Sequence, residues 1–103
     1  MDTGEQGIVR YQFSAAIDVL TVFERREIEH LEVSNERTIV IYQRTIFNCD
    51  VLHGQLDAAQ TVEVEVFDIS PDLNANTDPV SLIEHLIDEV ITATGVDFER
   101  QLL

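Results

Sequence analysis

A chain of 103 residues with 20 Asp and Glu against 6 Arg and no Lys carries a formal charge of -14 and has room for one hydrophobic core. So acidic a surface repels phosphate backbones and anionic headgroups, which argues against direct nucleic-acid or membrane binding, and 45% hydrophobic residues argue against global disorder. Cys49 is the sole cysteine, so no intrachain disulfide is expected, and neither an export signal nor an apolar run long enough to span a bilayer is present in the sequence. The expected location is cytoplasmic or virion-associated.

Residues 1 to 7, with Gly4 and Gly7, read as a flexible arm. "IVRYQF", 8 to 13, is rich in β-formers and reads as a first strand. From Ser14 to Glu32 no Gly, Pro or Asn interrupts the chain, and the spacing of Ile17, Leu20, Ile28 and Leu31 predicts a helix over residues 15 to 31 with Ser14 as its cap. The dyad Ile17, Val19, Thr21, Phe23 fits a strand instead, and the sequence leaves that alternative open. "SNER", 34 to 37, is a turn signal. "TIVIYQRTIFN", 38 to 48, predicts a central strand covered on both faces, interrupted by Arg44, and 49 to 60 a mixed connection containing Gly54. "TVEVEVFDIS", 61 to 70, alternates Val62, Val64 and Val66 with Glu63 and Glu65, but Phe67 and Ile69 then fall on the glutamate side, which asks for a bulge or a covered end.

"SPDLNANTD", 70 to 78, is built of turn formers. A helix follows, with Asp78 as N-cap, Pro79 at its first position, Gly95 beyond its end, and an apolar stripe through Leu82, Ile83, Leu86, Ile87, Val90 and Ile91. Asp97 offers a second cap for an apolar tail helix over 96 to 103 carrying Phe98, Leu102 and Leu103. The whole predicts a single acidic α+β domain over 1–103. Its expected architecture is a small antiparallel or mixed sheet of three to four strands packed against a C-terminal amphipathic helix and an N-terminal helix.

No constellation for catalysis, cofactor or metal stands out. Cys49, Asp50 and His53 make half of a transition-metal site, whereas structural zinc needs four ligands with paired spacing. His85 and Glu89 lie one helical turn apart without an HExxH pattern, and read as the solvated side of the amphipathic helix. His30, beside Leu31, reads as a partly buried histidine. Glycine-rich phosphate loops and nucleophile elbows are absent from the sequence.

The acidity supports two readings. Short carboxylates without lysine suit a protein kept hydrated in molar salt, where repulsion is screened to a few ångströms. The expected function is then a non-enzymatic protein-interaction module, a structural or assembly subunit of a halophilic viral or cellular complex. Its partner would be itself or another chain, met through Phe98, Leu102 and Leu103. Alternatively, Glu63 and Glu65 on a strand with Glu84, Asp88 and Glu89 on a helix form a stripe imitating DNA phosphates, and the chain inhibits a basic nuclease or defence complex. The second reading needs the carboxylates gathered on one surface; the first needs them spread.

Overall fold

The structure, a computed structural model, describes residues 8–69 and 78–101, apart from the side chain of Ile69. Its strands are β1 (Ile8–Ile17), β2 (Glu29–Ser34), β3 (Arg37–Tyr42), β4 (Thr45–Gln55), β5 (Ala58–Ile69) and β6 (Phe98–Gln101). Helix α1 (Val19–Arg25) joins β1 to β2, and α2 (Pro79–Thr94) joins β5 to β6. The six strands make one sheet in the order β2-β3-β4-β5-β1-β6, every neighbour antiparallel. β2 to β5 form a meander, while β1 lies inside the sheet between β5 and β6, so α1 carries the chain from there to the opposite edge.

This corrects the expected architecture of three to four strands and two flanking long helices. The long N-terminal helix over 15 to 31 is replaced by the end of β1, seven residues of α1, and β2. Asp18, not Ser14, is the cap: its carboxylate accepts from the Thr21 N–H at 3.0 Å and the Thr21 hydroxyl at 2.8 Å. β-Branched Val19, Thr21 and Val22 weaken helix propagation, and Glu27 at φ 57 stops it. The tail helix over 96 to 103 is also overturned. Asp97 accepts from the Ser14 N–H at 2.8 Å through its backbone carbonyl instead of capping, and Phe98–Gln101 pairs with β1. Pairing with an open strand edge satisfies backbone groups that a four-residue helix would leave orphaned. Leu102, Leu103, the arm 1–7 and loop residues 70–77 lie outside the described residues.

The run 38 to 48 is a hairpin rather than one strand. Gln43 and Arg44, at φ 50 and 60, form its two-residue turn, a conformation matched to strand twist but seldom adopted by non-glycine residues. The mixed connection at 49 to 60 is likewise strand, with Leu56 and Asp57 turning β4 into β5. Gly54 sits where the register slips, at φ 96, and a Cβ there would lie 2.2 Å from the Ala58 carbonyl oxygen. α2 has the ends read from the sequence: Asp78 accepts from the Val80 N–H at 3.2 Å, Pro79 follows it, and Gly95, at φ 69, donates to the Ile91 carbonyl at 2.7 Å.

Both helices pack on the same side of the sheet. Val9, Tyr11 and Phe13 of β1, Val62 and Val64 of β5, and Phe47, Cys49 and Val51 of β4 meet Val22 and Phe23 of α1 and Ile83, Leu86 and Val90 of α2 in one buried cluster. Alternation along the strands then puts Ile39, Ile41, Ile46, Glu63 and Glu65 on the side where, among the described residues, no helix packs. That side faces out.

Candidate functional site

Cross-strand register draws the open face in rows. One row runs Leu31, Ile39, Asn48, Glu65, Ile8 across β2, β3, β4, β5 and β1. Beside it Ile41 faces Ile46, and there the pairing slips: Ile46 opposes Asp68 and Phe47 opposes Val66, leaving Phe67 as the extra residue of a bulge. Phe67 is 68% exposed and Leu31 67%, with Val33 and Ile41 exposed as well. These residues form an apolar patch on the β2–β5 part of the sheet, flanked by Glu29, Glu65 and Asp68. A single exposed leucine needs no explanation, but a contiguous bare sheet face does.

A charged row borders the patch. Arg37 pairs with Asp50 at 2.7 Å, and Arg10 with Glu63 at 3.0 Å, while Asn48 donates to Asp50 at 2.8 Å. The Asp50 contact holds the Arg37 guanidinium above its ordinary pKa. Two of the chain's six arginines therefore neutralise carboxylates on this face.

The acidic residues singled out in the sequence divide between two sides. Glu63 and Glu65 stand on the open face. Glu84, Asp88 and Glu89 stand on α2, across the sheet, where Glu84 pairs with Arg100, and Glu89 accepts from the Tyr42 hydroxyl at 2.9 Å and pairs with Arg26 at 3.6 Å. They do not make one stripe. Phe98 lies on the helix side with its ring centroid 5.7 Å from that of Tyr11. Leu31, Ile41, Ile46 and Phe67 were missed as a group. Phe67 on the glutamate side of β5 was the available signal, but Ile39 to Tyr42 read as a strand covered twice.

Among the described residues, no three His, Cys, Asp or Glu side chains come together as a metal ion would need, and no helix is long and apolar enough to cross a membrane. Cys49 is buried in the core and His53 is exposed, so that pair does not converge. His30 packs its ring 5.5 Å from Phe23 with Nδ1 2.9 Å from the Ile28 carbonyl oxygen.

Burial pushes the Cys49 thiol up to about 12, aided by the Asp50 charge. Burial also pushes Tyr11 to about 12, with Glu84 raising it further and Arg100 opposing, and Tyr42 to about 12, with the Glu89 hydrogen bond adding to the effect. In each case the native state keeps a proton that the unfolded chain releases, from pH 9.0 for the thiol and 10.0 for the phenols. Stability is therefore expected to be insensitive to these groups below pH 9 and to fall as pH rises towards 12. Urea midpoints measured at pH 8, 9, 10 and 11 check this, and a midpoint that stays level to pH 11 contradicts it.

No protein-family model matches the chain, and no curated protein or solved structure matches it either.

Proposed function

We propose that the chain is a non-enzymatic interaction module, an assembly or structural subunit of a salt-adapted viral or cellular complex, which pairs with a second copy of itself through the open face of its sheet. The observation that carries this reading is the bare apolar patch of Leu31, Ile39, Ile41, Ile46 and Phe67 opposite a well-covered core. The whole open face, apolar patch and charged row together, spans six strands about 4.8 Å apart and averaging about eight residues at ~3.4 Å each, roughly 29 by 27 Å, or ~780 Å². That approaches the ~800 Å² per partner of a standard interface. Two copies of one twisted sheet share the same twist and can stack in aligned fashion, and two-fold pairs are the commonest assemblies.

Charge decides the conditions. Two bodies at -14 repel at low ionic strength. At ~1 M salt the Debye length falls to about 3 Å, so the repulsion collapses while apolar attraction persists. Internal pairing of Arg10 with Glu63 and Arg37 with Asp50 reduces the charge stranded when the face closes. Carboxylates on both faces of the sheet and along α1, β2 and α2 are the distribution that solubility in brine requires.

Light scattering on the eluting protein in molar KCl tests the reading. A mass twice the chain's 11.7 kDa is expected, and a monomer at every salt concentration that supports folding contradicts it.

A further inference from the structure

A second feature lies on the helix side, independent of the open face. Between α2 and the short edge strand β6 is a cleft of about 480 Å³ walled by Tyr11, Ile87 and Phe98, with Glu84, Asp88 and Arg100 at its margin. Its floor is chemically unfinished. Tyr11 is 1% exposed, yet its buried hydroxyl has no hydrogen-bond partner among the described residues. A buried polar group left without a partner is costly, and such orphans are rare in native proteins. Tyr11 lines the cleft itself, with Glu84 and Arg100 at its margin.

The charge around the cleft is one-sided. Arg100 is engaged with Glu84, whereas Asp88, one turn further along α2, is exposed and takes part in no hydrogen bond or ion pair among the described residues. Phe98, 46% exposed and tilted at 60° against the buried Tyr11 ring with centroids 5.7 Å apart, offers aromatic surface beside that carboxylate. Flat apolar walls, an unneutralised carboxylate at the rim and an unsatisfied phenol oxygen at the floor suit a planar cation. Guanidinium stacks on aromatic faces, pairs with carboxylate and has donors to spare for a hydroxyl oxygen.

We propose that the cleft between α2 and β6 receives an arginine side chain presented by a different protein of the same assembly. Asp88 takes the guanidinium charge, Tyr11 accepts one of its N–H donors, and Phe98 and Ile87 cover the stem. His85 flanks the mouth. This site does not depend on the open face, because its residues stand on the other side of the sheet.

The probe is N-acetyl-arginine methylamide, with the citrulline analogue as its neutral isostere, titrated into isotopically labelled full-length protein at the lowest KCl concentration that preserves the fold. Saturable amide shifts at Tyr11, Asp88 and Phe98 are expected with arginine. Citrulline should bind about tenfold more weakly, the scale of one charge-assisted contact. Asp88→Asn should bring arginine down to the citrulline level with the remaining spectrum unchanged, and Tyr11→Phe should weaken both probes. No saturation, equal affinity for the two probes, or shifts confined to β2 to β4 would overturn the proposal. The Ile41→Glu/Phe67→Glu variant separates the two sites: it should bind arginine as the wild type does even if the open face has no role in pairing.

Discussion

Replacing Ile41 and Phe67 together by glutamate is expected to turn the dimer into a monomer while leaving the domain folded. Both side chains are exposed in the isolated chain, so folding does not rely on them. In the proposed pair they sit at the centre of the contact, where burying a side chain of this kind is worth about 1.5–3 kcal/mol. Losing two of them, and forcing carboxylates into a desolvated patch, should weaken association at least ~100-fold. Light scattering reads the mass, and far-UV circular dichroism reads the fold. A dimer that survives the double substitution places the interface elsewhere. Glu63→Gln, which breaks only the partly exposed pair with Arg10, should change association by less than about tenfold, since such pairs contribute ~0–1 kcal/mol.

Phe47→Ala is expected to lose about 3–5 kcal/mol of stability, the usual cost of emptying an aromatic site in a packed core. Phe47 is fully buried at the middle of β4, opposite Val40 and Val66 and beneath the helices. Against a typical total of ~5–15 kcal/mol, this leaves a marginal fold. Urea unfolding measures it, and Leu52→Ala is the control: Leu52 lies on the same strand but is exposed, so its loss should stay near ~0.5 kcal/mol. A Phe47→Ala cost below about 1 kcal/mol would mean that the sheet and helices are not packed as described.

What the sequence made legible was the chemistry confined to a few neighbouring residues. Asp78, Pro79 and Gly95 delimit α2 because capping is local. The crowding of Phe67 onto the glutamate side announced the bulge that the register now places there. What it hid depended on long-range pairing. Residues 98 to 101 become a strand only because β1 offers a free edge more than eighty positions earlier in the chain. Ile39 and Ile41 read as doubly covered, since an apolar side chain looks the same in sequence whether it meets a helix of its own chain or a second molecule. The turn at Gln43 and Arg44 lacks the glycine or asparagine that usually marks φ above zero, so the hairpin passed as one strand. The five carboxylates singled out as one stripe were separated by the strand alternation and by the placement of α2, neither of which composition can express.

Sedimentation equilibrium across a KCl series, from ~0.1 M, where the Debye length is about 10 Å, to ~1 M and above, tests most directly whether the carboxylates serve the solvent and the open face serves a second copy. The dimer dissociation constant is expected to fall steadily with salt and to level off once repulsion between two charges of -14 is screened. A constant that rises with salt, or a monomer throughout, would contradict pairing through the sheet face.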